Sequence, residues 1–158
     1  MNKWITGNRQ NGKEEAPVLK VKRLTDAAKV PVYGTPGSAG LDFRVTNGLT
    51  LYPGDIRTVG TGLAIEIPKG YWGFFAVRSG IGKIGVMMST GASVIDEDYR
   101  GEVKLSLINT GAYPFTFNDG DRIAQMVITP CAHCIIEEAE ELSETDRGQS
   151  GFGSTGRG

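Results

Sequence analysis

A period of two in the hydrophobic pattern is the feature that most constrains how this chain folds. Leu63-Ala64-Ile65-Glu66-Ile67, Glu102-Val103-Lys104-Leu105-Ser106-Leu107 and Arg122-Ile123-Ala124-Gln125-Met126-Val127-Ile128 alternate residues to be buried with residues to be exposed. Successive side chains of an extended strand point to opposite faces, so each run sends one set to a core and the other to water or a partner. Turn formers interrupt the runs at short intervals: Pro36-Gly37, Pro53-Gly54-Asp55, Pro68-Lys69-Gly70 and Asn118-Asp119-Gly120. Short strands between closely spaced turns predict an all-β sandwich or barrel. Helix is scarce, with single turns expected near Thr25–Lys29 and Arg78–Lys83, and no internal repeat is evident.

A chain of 158 residues is long enough for one domain with a real core. Its 17 basic and 18 acidic residues leave a formal net charge of -1, which argues against stable nucleic-acid binding, since coating a polyanion needs a broad excess of Lys and Arg. Any phosphate it binds is small and held locally. No apolar run approaches the ~20 residues of a membrane span, and the opening Met1-Asn2-Lys3-Trp4-Ile5-Thr6-Gly7 lacks a secretion signal's apolar stretch. The expectation is a cytoplasmic protein with no membrane association. Residues 1–17 are polar and mixed in charge and read as a flexible extension, residues 18–146 as the β domain, and residues 147–158 as a Gly-rich C-terminal arm.

Cys131-Ala132-His133-Cys134 gathers both cysteines and the only histidine. A structural zinc site needs four ligands, and no second cluster supplies the fourth. The cluster is therefore expected to be a strand edge with one or two buried thiols.

Asp96 lies in Ser93-Val94-Ile95-Asp96-Glu97-Asp98-Tyr99-Arg100-Gly101, a turn between apolar runs. Three acids so close together suit a solvated turn equally well. Because Asp96 directly follows Val94-Ile95, the core can anchor it, and a rigid carboxylate can orient water for in-line attack about 3 to 3.5 Å from phosphorus. The tail from Arg147 to Gly158, rich in Gly and Ser with a single Phe, suits either a linker or an arm that orders over a ligand.

Five segments together resemble the motifs of the trimeric dUTPase family, in that family's order. They are Ala39-Gly40-Leu41-Asp42; Arg78-Ser79-Gly80; Val94 through Gly101; Gly120-Asp121-Arg122-Ile123-Ala124-Gln125-Met126; and Arg147-Gly148 through Gly151-Phe152-Gly153-Ser154-Thr155-Gly156. Each motif is weak alone, but five in order are specific. The resemblance runs from about Val18 to the C-terminus. Ser93 stands where the family often has glycine, Val77 replaces a frequent proline, and Lys83-Ile84-Gly85 departs from the family's usual continuation.

The resemblance implies a distorted jelly roll, a homotrimer with a flexible C-terminal arm, and magnesium-assisted hydrolysis of dUTP to dUMP and pyrophosphate. That reaction keeps uracil out of DNA and supplies dUMP for dTMP synthesis. On the same basis Asp96 orients and deprotonates the water that attacks the α-phosphorus, and Tyr99 packs on the deoxyribose and excludes a 2′-hydroxyl. Ser93, Val94 and Ile95 would read uracil through the main chain. Arg78, Ser79, Gly80 and Gln125 would bind the phosphates, and Asp42 would hold a water on Mg2+ without ligating the ion directly. In the arm, Phe152 would stack on uracil, Arg147, Ser154 and Thr155 would reach the phosphates, and Gly153 would also contact the substrate. Sites in this family form between subunits, and the strand from Val103 to Leu107 is expected to offer an apolar inter-subunit face.

Two rivals remain at this stage. A dCTP deaminase of the same fold needs a glutamate for proton transfer, and Ser106 occupies the corresponding place. A nucleotide-gated interaction protein, whose tail orders with dUTP and changes affinity for a regulatory protein partner, is the second.

Overall fold

The structure, a computed structural model, describes residues 9–10, 13–14 and 16–149. Its elements in chain order are β1 (Arg9–Gln10), β2 (Lys13–Glu14), β3 (Lys20–Arg23), β4 (Val32–Tyr33), β5 (Leu41–Arg44), β6 (Leu49–Leu51), β7 (Ile56–Glu66), β8 (Tyr71–Val77), α1 (Ser79–Gly82), β9 (Val86–Met88), β10 (Ser93–Ile95), β11 (Glu102–Asn109), β12 (Phe115–Phe117) and β13 (Arg122–Pro130). A five-stranded sheet runs β10-β8-β13-β5-β4 and a four-stranded sheet β3-β7-β11-β9, with β12-β6 and β1-β2 as two-stranded additions. The pairings are antiparallel throughout. The all-β expectation holds, and the turn at Thr25 forms through Ala28 N–H donating to the Thr25 carbonyl.

The two large sheets share one core. Leu41, Phe43, Phe75 and Met126 come from the first, Leu63, Ile65, Val86, Val103, Leu105 and Leu107 from the second, and Leu51 and Phe117 close one end. Phe43 meets Phe75 edge-on at a centroid distance of 4.9 Å, a favoured geometry for aromatic pairs. Asn109, also buried, is fully satisfied: its amide donates to the Leu51 and Tyr113 carbonyls, and its side-chain oxygen accepts the Gly111 N–H.

The alternation of β11 is preserved, but its apolar set faces inward. Val103, Leu105 and Leu107 are each 0% exposed within the single chain. They cannot also form an inter-subunit face, which corrects the expectation for Val103–Leu107. The outward set is Glu102, Lys104, Ser106 and Ile108. A second set of apolar residues lies on the outer face of the five-stranded sheet, where Val94 is level with half-buried Phe74 and Phe74 with half-buried Val127. Trp72 and Phe74 sit edge to face beside it, and Val94 is exposed.

On β7 the alternation breaks, and all five residues from Thr61 to Ile65 are buried. The cause is a bulge: Glu102 is opposite Ala64 and Lys104 opposite Gly60, so four steps on β7 match two on β11. Gly62 takes a φ of +64° there, and a Cβ on it would lie 2.7 Å from the Thr25 hydroxyl. Thr61 donates to the Val103 carbonyl, and the Glu102 carboxylate accepts the Gly62 N–H, so the bulge leaves neither group unpaired. At the strand's end the Lys20 ammonium donates to Glu66 and holds that carboxyl below its ordinary range, with Arg100 adding to the effect. This exposed pair therefore contributes above the unfolded pKa of Glu66, and the contribution is lost as pH falls through the lowered folded value.

Both cysteines lie beyond the last residue of β13. Cys131 is half-buried and Cys134 exposed. The expectation of a strand edge with buried thiols is corrected accordingly: only the Cys131 N–H, donating to the Gly70 carbonyl, continues the ladder. Among the described residues, no group of His, Cys, Asp and Glu is placed to hold a metal, and no helix is long and apolar enough to cross a membrane.

Candidate active site

Three neighbouring strand ends create a cleft of about 450 Å³. Strand pairing sets its floor: Asp42 on β5 lies opposite Gln125 on β13, and Gln125 opposite Ala76 on β8. Opposed residues share a face, so Asp42 and Gln125 point the same way, while Met126 turns into the core. At the end of β8 the chain leaves through Arg78 in an extended conformation and enters the single turn α1, which brings Ser79 and Gly80 to the rim. Segments thirty or more residues apart in sequence thus converge, and Asp42, Arg78, Ser79, Gly80 and Gln125 line one cavity.

Asp42 organises the cationic wall. It is buried, and its two oxygens are held separately: Arg78 Nε lies 3.1 Å from Oδ1, and Arg122 Nη1 donates to Oδ2 at 3.2 Å. The Arg78 and Arg122 side chains are about one-third and two-fifths exposed, and both residues line the cavity. One carboxylate against two guanidiniums leaves a net positive site, and the fixed fork of each arginine suits phosphate oxygens. Gly40 permits close packing here, since a Cβ on it would lie 3.0 Å from the Gln125 Cβ.

Sequence reasoning missed Arg122 and the turn Gly34-Thr35-Pro36-Gly37-Ser38. Arg122 stood in the quoted fourth motif with no role assigned, and only the strand register reveals that it shares Asp42 with Arg78. The turn had been used as punctuation. Its hydroxyls in fact close on each other, with Thr35 N–H donating to Ser38 Oγ and the two hydroxyls 3.0 Å apart, and both residues line the cleft. Hydroxyls inside a Gly/Pro turn just before Ala39-Gly40-Leu41-Asp42 were the available signal.

A second group of anticipated residues sits elsewhere. Ser93, Val94 and Ile95 form β10, an edge strand paired with Phe75, Phe74 and Gly73 of β8. Ile95 is buried and anchors the turn that follows, in which Asp96 is exposed and its carbonyl accepts the Tyr99 N–H. Tyr99 donates its hydroxyl to the Glu102 carbonyl at 2.9 Å, and Arg100 caps the turn through the Glu97 and Tyr99 carbonyls. The Tyr99 ring lies over Gly101, where a Cβ would sit within van der Waals overlap of the ring.

The two groups do not meet within one chain. From β10 to β5 is three strand spacings, about 14 Å, and the level of Asp96 is four residues from that of Asp42, about 13 Å along the strands, so the two carboxylates are on the order of 20 Å apart. Each chain thus holds the two groups of residues at separate places on the five-stranded sheet. Arg147 belongs to the described residues, beyond an exposed segment outside the strands in which Ile135, Ile136 and Leu142 are almost wholly solvent-accessible. Phe152, Gly153, Ser154 and Thr155 lie outside the described residues.

The fold and cleft place this chain among antiparallel β proteins with an arginine-lined cleft at their strand ends, chemistry suited to a small anion. Residues 26–156 match the family described as dUTPase. The chain is 47% identical over 146 residues to the deoxyuridine 5'-triphosphate nucleotidohydrolase of Desulfitobacterium hafniense (strain DSM 10664 / DCB-2), covering 87% of this chain and 97% of the relative. It is 47% identical over 143 residues to the enzyme of the same description from Anaeromyxobacter sp. (strain Fw109-5), covering 88% and 97%. Among solved structures it resembles a mutant dUTPase of Staphylococcus bacteriophage 80alpha with dUpNHpp, at a TM-score of 0.83 and 26% identity over 88% of this chain and 98% of that one. A mutant dUTPase from phage phi11 of S. aureus, described with a structural Mg(II) ion, shares the fold at a TM-score of 0.74 and 23% identity, covering 80% and 99%. The chain belongs to the dUTPase family.

Proposed function

We propose that this chain hydrolyses dUTP to dUMP and pyrophosphate, and that the observation carrying the reading is the Arg78–Asp42–Arg122 arrangement in a cleft that Ser79, Gly80 and Gln125 complete. Relatives nearly half identical over almost their whole length are dUTP nucleotidohydrolases, and a structure of like fold holds dUpNHpp. Arg78 and Arg122 offer guanidinium N–H groups to the phosphates, Ser79 a hydroxyl, and Gly80 an unobstructed backbone N–H. Asp96 accepts a proton from water and aligns it for attack at the α-phosphorus, a task for an anchored carboxylate that only accepts hydrogen bonds when ionised. Ser93, Val94 and Ile95 present main-chain groups to uracil, and a donor–acceptor mismatch leaves cytosine with unpaired partners.

Mg2+ fits the cleft as an ion held mainly by triphosphate oxygens. Asp42 is the one acidic side chain among the described lining residues, and its oxygens keep lone pairs beyond those used by Arg78 and Arg122. It would accept a hydrogen bond from a water on the ion. Bound there, the ion would offset charge on the phosphates and help orient them.

The proposed working form is a homotrimer in which Asp96 and Tyr99 of one subunit face the arginine cleft of another. Two half-sites on the order of 20 Å apart support sharing, since a single triphosphate is too short to be served by both from one chain. Exposed Val94 with half-buried Phe74 and Val127, and the exposed Ile135, Ile136 and Leu142, supply apolar surface for such contacts. In the same reading the arm from Arg147 closes over the nucleotide, with Phe152 on uracil, Ser154 and Thr155 at the phosphates and Gly153 between them in contact with the substrate. A monomeric mass by light scattering, in a preparation that hydrolyses dUTP, contradicts the shared site.

Tyr99→Ala is expected to weaken the preference for dUTP over UTP by roughly tenfold or more, because the removed ring no longer fills the space beside the 2′ carbon. The ratio of kcat/KM for the two substrates is the measurement. If activity falls and the ratio stays, Tyr99 serves only the turn through its bond to Glu102. The deaminase alternative is disfavoured by Ser106, whose hydroxyl accepts a hydrogen bond from Ser89 at 2.7 Å where that chemistry needs a carboxylate. Parallel incubations with dUTP and dCTP test the function: pyrophosphate release from dUTP is expected, and ammonia release from dCTP overturns the assignment.

A further inference from the structure

We propose that Glu97 is a positioning residue for Asp96, fixing the catalytic turn to the peptide of Gly70. This inference rests on the proposed role of Asp96 and adds a residue to it. The turn from Asp96 to Gly101 is held mostly by bonds within itself: Tyr99 N–H to the Asp96 carbonyl, Arg100 to the Glu97 and Tyr99 carbonyls, and Tyr99 hydroxyl to the Glu102 carbonyl. Only the last of these leaves the turn, joining Tyr99 to the first residue of β11 at the turn's exit, and none of them holds the stretch next to Asp96 against the β7–β8 connection. Arg100 reaches Glu66 only at 4.0 Å, between exposed groups, and exposed ion pairs hold weakly. The Glu97 carboxylate supplies the missing tie by accepting the Gly70 N–H in a hydrogen bond across 27 residues of sequence.

The far end of that tie is rigid. Gly70 closes the turn between β7 and β8 with a φ of +80°, and the Tyr71 N–H returns to the Pro68 carbonyl. Its own carbonyl accepts the Cys131 N–H at 2.8 Å, directly after Pro130 pairs with Tyr71 at the end of the β8–β13 ladder. One residue is therefore held through both of its backbone groups, its N–H by the turn that carries Asp96 and its carbonyl by the root of the segment that leads to Arg147. Ile95, buried on β10, pins the turn where it begins, and Glu97, two residues later, pins it on the other side of Asp96. The general base between two fixed points keeps a defined direction. In-line attack is sensitive to displacements of about 1 Å, which can cost on the order of 100-fold in rate.

The test is steady-state kinetics of Glu97→Ala and Glu97→Gln beside wild type and Asp96→Asn. Glu97→Ala is expected to lower kcat about tenfold with KM for dUTP within about twofold of wild type, because the pocket is intact and only the direction of the base is loosened. Glu97→Gln keeps an oxygen that accepts the Gly70 N–H and is expected to recover at least half of the lost activity on a logarithmic scale. A kcat for Glu97→Ala within twofold of wild type overturns the inference, as does Glu97→Gln falling as far as alanine. An Asp96→Asn enzyme that still turns over normally fails the underlying assignment instead. Unchanged melting temperatures in both Glu97 variants are expected, and a rate loss matched by a large drop in melting temperature reduces Glu97 to a structural residue and also overturns the inference.

Discussion

Asp96→Asn is expected to reduce dUTP turnover by on the order of 100-fold or more, with binding of a non-hydrolysable dUTP analogue essentially unchanged. Asparagine preserves the shape of the turn and still accepts through its amide oxygen, but it carries no charge to orient water and cannot take its proton at neutral pH. The structure favours a clean effect on the chemical step, because Asp96 is exposed and stabilises no part of the core, while its neighbour Ile95 is buried. Steady-state kcat together with calorimetric binding of the analogue separates the two contributions. Near-normal turnover would move the base to another group.

Removing the chain from Arg147 onward is expected to leave a folded assembly and cut the catalytic rate on the order of 100-fold, the scale of losing charge-stabilising donors and water exclusion together. The segment that leads to Arg147 is exposed from Ile135 onward, so the core of Phe43, Phe75, Leu105 and Met126 does not depend on it. Circular dichroism and mass should be retained while kcat falls. A narrower test uses Phe152: tryptophan there should keep activity and change fluorescence when an analogue and magnesium are added, whereas alanine should lose rate. Turnover by the truncated chain equal to that of the full chain would make the tail a linker.

What the sequence made legible follows from where physical signals are local. Strand periodicity needs only neighbours, so the strands at Glu102–Asn109 and Arg122–Pro130 and the outward direction of Gln125 could be read directly. The bulge at Gly62 could not, because it depends on Glu102 and Thr25 reaching the same few atoms from distant segments. The inward face of Val103, Leu105 and Leu107 was likewise misassigned, since alternation says that one face is apolar and not which neighbour covers it. Motifs located Asp42 and Arg78, but Arg122 became part of the site only through the register that sets β13 beside β5. Glu97 was passed over inside its acidic triplet, where charge patterning alone makes every member a solvated side chain.

Hydrolysis of dUTP in water enriched in oxygen-18, with magnesium present, tests most directly the claim that a water aligned by Asp96 attacks the α-phosphorus. One labelled oxygen in the phosphate of dUMP and none in pyrophosphate is the expected result. Label in pyrophosphate, release of orthophosphate in its place, or recovery of intact dUTP would contradict the account.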